Sequence, residues 1–267
     1  MKISLITPVF NDVEFIEETI KSIIYQKGDF ELEYIIIDDG STDETLKIVK
    51  KYDKLIHSKK FKSNCKKLSF KWVSKENTGQ SNSINTGFKM VKGDIVNWIC
   101  SDDLLVDGSL EYISDFFKKN PLENVIFGNA LKINEFGEEI GIFKGKNFSR
   151  EELVRRWDKV YHKFYIVQPS VFYKRKLLKK YGLVRKDLHL TMDYELWLRF
   201  KEKFNYVNKI FSKARFTKND KSVKSRKEQF KESIDVSKNY WGKNYLFYAR
   251  SYYFYKFIKY PLWKLFN

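Results

Sequence analysis

Gly93 to Leu105 reads GDIVNWICSDDLL, an apolar run containing Ile95, Val96, Trp98 and Ile99 that stops abruptly in Asp102 and Asp103. The run demands burial and the two carboxylates demand water or a cation, so a strand must end here at the rim of a sheet. In open α/β sheets, ligands bind beyond the carboxyl ends of such strands. Two adjacent hard oxygen donors suit Mg²⁺ or Mn²⁺. The same pair would also serve as a solvated turn, with either Asp capping the helix that follows. A second run, Tyr34 to Ile37, ends likewise in Asp38, Asp39 and Gly40.

Around these runs the chain alternates strand and helix. Lys2 to Phe10 predicts a strand, and Asp12 can cap a helix over Val13 to Gln26 with Ile16, Ile20, Ile23 and Ile24 on one face. Glu33 to Asp38 is the second strand; Ser41 and Glu44 form a capping box for a helix running to about Lys51. Lys54 to Lys67 reads as a lysine-rich surface insertion, followed by a strand at Phe70 to Ser74, a loop at Glu76 to Gln80 and a helix at Ser81 to Val91. This rhythm predicts a mainly parallel, Rossmann-like α/β sheet with helices on both faces. Downstream it changes. Gly108 to Lys119 predicts a helix, Asn124 to Asn129 a strand, and Leu131 to Phe143 a hairpin turning at Glu135 to Glu138. Helices follow at Phe148 to Asp158, Lys174 to Tyr181 and Met192 to Phe204, with a short strand at Ser170 to Tyr173. Asp193 falls in the first turn of the last helix, where the helix dipole stabilises a carboxylate whether or not it has another role.

The formal net charge of +17 raises the question of a polyanionic partner. After Asn205 there are 15 Lys and Arg against 4 Asp and Glu, and beyond Asp235 no acidic residue at all. In that tail Tyr240, Trp241, Tyr245, Phe247, Tyr252, Phe254, Phe257, Tyr260 and Trp263 are interleaved with Lys and Arg. Rings and cations so mixed suit an anionic membrane interface, with single-stranded nucleic acid as competitor and packing on the chain itself or on a second subunit as the third option. Carboxylates at the strand ends would repel a phosphate backbone, so nucleic acid is not expected. With 267 residues, 43% hydrophobic, the chain supports one domain or one domain with an appended piece. No run approaches ~18 consecutive apolar residues, and Ile3 to Phe10 reads as a strand rather than a leader. Only Cys65 and Cys100 are present, Cys100 within the buried-looking strand, which fits a reducing cytoplasm.

Spacing excludes several chemistries. There is no GxGxxG after the first strand, no GxxxxGK[ST], no HExxH and no GxSxG, and His57, His162 and His189 are scattered. What remains is carboxylates at strand ends. Together, ITPVFND at Ile6 to Asp12, IIIDDGSTDET at Ile35 to Thr45, ENTGQSNSINTGF at Glu76 to Phe88, ICSDDLL at Ile99 to Leu105 and MDYELWLRF at Met192 to Phe200 resemble glycosyltransferase family 2 in order and interval. QPSVFYKRKLLKKYG resembles the acceptor-side segment of bacterial members. The resemblance covers roughly the first two hundred residues.

It implies the GT-A fold: a nucleotide-sugar half over 1–105, an acceptor half over 106–211, and outside it a basic aromatic helical extension over 212–267. It implies an inverting, hexosyltransferase-like transfer from a nucleotide-diphosphate sugar, a UDP-sugar foremost, to a hydroxyl of a glycan or lipid-linked acceptor in surface polysaccharide synthesis. The expected setting is the cytoplasm, at the inner face of the cell membrane. Carried over by position, Thr7, Pro8, Phe10 and Asp39 would line the base pocket, Asn77 and Gly79 would touch the nucleotide, Asp102 would contact ribose, Asp103 would hold Mn²⁺ or Mg²⁺, and Asp193 would be the general base. Asp38 and Asp43 would be structural. Three departures weaken parts of this pattern: Cys100 and Ser101 stand where many members carry another acid, Met192 where many have Glu, and Ile84 where an Arg is common. A noncatalytic scaffold that binds a nucleotide sugar or a partner is the alternative.

Overall fold

The computed structural model describes residues 1–155, 165–217 and 225–241. Four parallel strands form the first half of the sheet: β1 (Lys2–Val9), β2 (Gly28–Asp38), β3 (Cys65–Ser74) and β4 (Ile95–Trp98), in the order β3-β2-β1-β4. The intervening helices are α1 (Ile16–Ile24), α2 (Thr45–Ile56) and α3 (Gln80–Met90). Because side chains alternate along a strand, the continuous run Tyr34–Ile37 feeds two cores at once. Tyr34 and Ile36 pack on the face covered by α1, α2 and α4 (Ser109–Lys119), while Ile35 and Ile37 pack on the opposite face with Ile84 and Phe88 of α3. Gly87 lets α3 lie directly on β1, since a Cβ there would come within 2.5 Å of the Ile6 side chain.

Beyond β4 the sheet becomes mixed, as the expected hairpin required. β5 (Leu104–Leu105), β6 (Val125–Ile133), β7 (Glu139–Phe143), β8 (Val171–Lys174) and β9 (Phe204–Arg215) extend it to nine strands among the described residues, in the order β3-β2-β1-β4-β8-β6-β9-β5 with β7 on β6. β8 runs antiparallel to both β4 and β6, and β6 runs parallel to β9. Three short helices, α5 (Arg150–Val154), α6 (Lys176–Tyr181) and α7 (Met192–Phe200), cover the α3 face, and α8 (Arg226–Trp241) lies on α7.

Several expectations change. The capping box at Ser41 and Glu44 does not form: the Ser41 hydroxyl accepts the Asn11 amide at 2.9 Å, and α2 begins at Thr45 without a side-chain cap. α2 continues to Ile56 and β3 starts at Cys65, so the surface insertion shrinks to the residues between. β4 ends at Trp98, leaving Cys100 past the strand and only half-buried. The strand expected at Asn124–Asn129 and the first arm of the hairpin are one strand, β6. The helix expected from Phe148 is α5, started by a complete capping box between Ser149 and Glu152; the remainder of that expectation falls outside the described residues. The helix expected to reach Phe204 stops at Phe200, because Lys201 takes a left-handed conformation (φ 46°). After it comes β9, which the sequence reading lacked, and which continues through position 211 to Arg215. No described helix is long and apolar enough to cross a membrane.

Candidate functional site

The carboxyl ends of β1, β2 and β4 open on one side of the sheet, with strand order reversing between β1 and β4, the place where open α/β sheets take ligands. Loops there hold one another. Asn11, in a left-handed conformation (φ 48°), accepts the Thr42 amide at 2.7 Å, and its own amide donates to Ser41. Asp38 accepts the Ser74 hydroxyl at 2.6 Å and the Ser41 amide, and Asp43 accepts the Thr45 and Val13 amides. Both side chains tie these loops together.

Asp39 is buried at the end of β2 and gathers the loop between β3 and α3: it pairs with Lys75 and accepts the amides of Thr78 (3.1 Å) and Gly79 (2.9 Å). Burial pushes its carboxyl up, but Lys75 and the Thr78 amide outweigh burial, so Asp39 titrates below the ordinary carboxylate range. Gly79 has φ +89°, a conformation that favours glycine, and it caps α3; Asn77 accepts its amide at 3.2 Å. Of the other residues expected here, Phe10 is exposed, Pro8 is buried, and Thr7 is fully buried with its hydroxyl accepting that of Tyr34.

Asp102 and Asp103 occupy the turn between β4 and β5. Thr19 of α1 anchors that turn by donating to the carbonyls of Ser101 and Asp103 at 2.6 and 2.8 Å. A residue that sequence reading missed completes it. The Arg215 amide donates to Asp103 Oδ1 at 3.1 Å, its Nε to the Asp102 carbonyl at 3.0 Å, and its other nitrogens to the Asn134 and Glu135 carbonyls and to Glu18. The guanidinium also lies over the Phe15 ring. Cys100 Sγ and the carboxylates of Asp102 and Asp103 lie within 4.8 Å of one another, a donor set able to hold a divalent ion. Burial, then the charges of Asp103, Asp102, Asp193 and Asp12, push the Cys100 thiol well up. Burial also pushes Asp12 up, against a hydrogen bond from Ser101 that lowers it.

Asp193 lies in the first turn of α7, accepting the Tyr194 amide at 2.7 Å. The start of α7 is docked on the start of α3: Ser81 Oγ is 2.9 Å from the Leu188 carbonyl and 3.1 Å from Met192 Sδ. Met192 thus has a packing role where many relatives would carry Glu. Ile84 is fully buried in the core and offers nothing to a diphosphate.

The sequence profile of glycosyl transferase family 2 matches residues 4–182. The chain belongs to glycosyltransferase family 2. Among relatives of this family, the poly(ribitol-phosphate) β-N-acetylglucosaminyltransferase TarP of Staphylococcus aureus is 29% identical over 201 residues, spanning 73% of this chain and 56% of that protein. A GalNAc(5)-diNAcBac-PP-undecaprenol β-1,3-glucosyltransferase of Campylobacter jejuni is 30% identical over 221 residues, spanning 82% of this chain and 66% of that protein. The chain thus corresponds to little more than half of the TarP sequence. Among solved structures, S. aureus TarS 1–349 in complex with UDP-GlcNAc superposes with a TM-score of 0.66 at 21% identity, over 89% of this chain and 65% of that one. The Pyrobaculum calidifontis mannosyltransferase PcManGT, in complex with GDP-Man and Mn²⁺, gives 0.62 at 16% identity, over 89% and 64%. The family 2 chain therefore has the GT-A fold, a mixed α/β sheet flanked by helices.

The energetics of the acid turn yield a contrast. The Arg215 side chain is 1% exposed and Glu18 57%, so removing Arg215 empties a buried position and breaks its bonds to three carbonyls, whereas removing the Glu18 charge loses one exposed ion pair. Arg215→Met is expected to cost about 2–4 kcal/mol in urea unfolding, and Glu18→Gln less than about 1 kcal/mol. Equal losses would show that the ion pair, and not the carbonyl contacts, is what matters.

Proposed function

We propose that this chain transfers a sugar from a nucleoside-diphosphate sugar, UDP-linked in the first instance, to a hydroxyl of a glycan or lipid-linked acceptor in surface polysaccharide synthesis. The observation that carries this reading is the clustering of Asp102, Asp103 and Cys100, within reach of one divalent ion, at the sheet end where Asp39 closes the β3–α3 loop. Support comes from family relatives whose names record sugar transfer to poly(ribitol-phosphate) and to an undecaprenol-linked glycan, and from structural neighbours bound to UDP-GlcNAc and to GDP-Man with Mn²⁺.

In this reading Asp39, with Asn77, Gly79, Thr7, Pro8 and Phe10 around it, receives the nucleoside, and Asp102 faces the ribose. Thr7 would contribute from beneath, through backbone and packing, because its hydroxyl is engaged by Tyr34. Asp103 would hold the divalent ion, with Asp102 and Cys100 near enough to share it; two carboxylates suit Mn²⁺ or Mg²⁺, and the thiol adds a softer donor. Such an ion, when bound, offsets the charge that develops on the departing diphosphate. The chain's own residues do the rest. Asp193 takes the proton of the acceptor hydroxyl as its oxygen attacks the anomeric carbon. The bond to the diphosphate oxygen breaks on the opposite face, which inverts the configuration. Arg215 holds the Asp103 carboxylate through its backbone amide and the turn beside it through the Asp102 carbonyl.

Two substitutions separate the roles. Asp103→Asn should abolish the Mn²⁺ dependence of UDP-sugar binding. Asp193→Asn should lower turnover roughly 10²- to 10⁴-fold while leaving UDP affinity within about 2-fold, read by calorimetry and diphosphate release. Unchanged metal dependence in the first, or retained transfer in the second, contradicts the assignment. Turnover absent in wild type with UDP-Glc, UDP-GlcNAc, UDP-GalNAc and GDP-Man, alongside tight nucleotide-sugar binding, would favour the noncatalytic scaffold.

The reading extends to the chain's surroundings. A lipid-linked acceptor calls for peripheral attachment to the inner face of the membrane, and Lys243, Arg250, Lys256, Lys259 and Lys264 among tail aromatics would supply it, at about 1 kcal/mol per basic residue near an anionic surface. The residues after Trp241 lie outside the described ones. Co-sedimentation with anionic vesicles should fall at high salt and on truncation after Trp241, and should be weak with neutral vesicles. Binding unaltered by truncation would assign the tail to packing within this chain or between two copies.

A further inference from the structure

α8 lies beyond residues 4–182 that the family profile matches, yet it is fastened to the start of α7. Its Glu232 carboxylate accepts the His189 amide at 3.0 Å, the Leu190 amide at 3.2 Å and the Thr191 hydroxyl at 3.1 Å. Thr191 is the residue that caps α7, and its hydroxyl makes no capping bond within the helix. Gln229 adds a bond to the Leu190 carbonyl, and Tyr240 donates to the buried Glu195 at 2.8 Å, which also pairs with Arg199. Val236 is buried in the same hydrophobic cluster as the α7 residues Leu196, Trp197 and Phe200. α8 thus grips α7 at Thr191 and Glu195, four residues apart.

Asp193 stands two residues before Glu195, about 200° around the helix from the residue that Tyr240 bonds. The bonds Glu232 makes go to His189, Leu190 and Thr191. What it fixes is the path of the backbone from His189 to Thr191, which sets where the first turn of α7, and with it Asp193, meets the sheet end. From the other side Ser81 takes the Leu188 carbonyl. The segment leading into α7 is held between α3 and α8.

We infer that Glu232 is a positioning residue for Asp193, so that the C-terminal helix sets the geometry of the reaction centre. The inference rests on the base role proposed above. The test uses the full chain and its variants Glu232→Ala, Glu232→Gln, Asp193→Asn and Glu232→Ala/Asp193→Asn. Diphosphate release from UDP-GlcNAc with Mn²⁺ gives kcat and KM, and amide hydrogen exchange is followed over His189–Tyr194. Glu232→Ala should lower kcat about 10- to 100-fold with KM for the sugar nucleotide within about 2-fold, and should speed exchange at His189 and Leu190. Glu232→Gln, which keeps an acceptor oxygen, should recover most of the loss. In the Asp193→Asn background Glu232→Ala should cost nothing further, because the group it positions is gone. An unchanged kcat, unchanged exchange, or an equal loss in both backgrounds overturns the inference. Asp193→Asn retaining full turnover would instead remove the base reading itself. Wild type releasing no diphosphate would remove the transferase reading, with exchange still deciding whether Glu232 holds this segment.

Discussion

A single buried guanidinium joins the two halves of this molecule. Arg215 ends the twelve-residue strand β9, and its contacts reach α1 through Glu18 and Phe15, the β6–β7 turn through two carbonyls, and the acid turn after β4. A buried cation is costly unless every donor is satisfied, and here the five-donor fork of arginine meets carbonyls and a carboxylate in different directions, which a lysine could not do. With the guanidinium so anchored, the backbone amide of the same residue holds the carboxylate of Asp103, 112 residues earlier in the chain. The acid turn is therefore preorganised by tertiary structure rather than by its own sequence.

The same logic repeats around the sheet end. Asp39 is held down by one lysine and two amides of a neighbouring loop, and Asp193 rides on a helix whose start is wedged between α3 and α8. Each carboxylate thus stands on a different element, and each element is fixed by a side chain from elsewhere. Such an arrangement costs little reorganisation when charge develops in a reaction, which is the condition for electrostatic catalysis. It also explains why Met192 and Ile84 are tolerated against the family pattern: one packs on Ser81 and the other fills the core, while the charged positions keep their support.

The parts legible in the sequence were those with a local signal. The apolar runs of β1, β2 and β4, the periodic faces of α1, α3 and α4, and the turn of the β6–β7 hairpin each declare themselves within ten residues or so. β9 did not. Two register shifts where it pairs with β6 break the two-residue alternation, and Lys209 and Lys213 interrupt its apolar content, so FNYVNKIFSKAR resembles a loop. Arg215 and Glu232 were invisible for a related reason: their partners are distant in sequence, and no spacing rule links an arginine to an acid pair 112 residues away. The Ser41 and Glu44 box illustrates the reverse error, a sound local motif dissolved because the Asn11 amide claims the serine hydroxyl. In the charged C-terminal region, composition suggested a surface, while α8 buries Val236 in the cluster that contains α7 and bonds Tyr240 to Glu195.

The central claim is that Asp39, Asp103 and Asp193 mark successive stations of one donor and acceptor site. The most direct test is an anomalous difference map from crystals of this protein grown with UDP and Mn²⁺. The account predicts the strongest peak in direct coordination to an Asp103 carboxylate oxygen, the uracil against Asp39, and Asp193 facing the terminal phosphate across the site. A Mn²⁺ ion bound away from Asp103, or UDP seated away from Asp39, would contradict it.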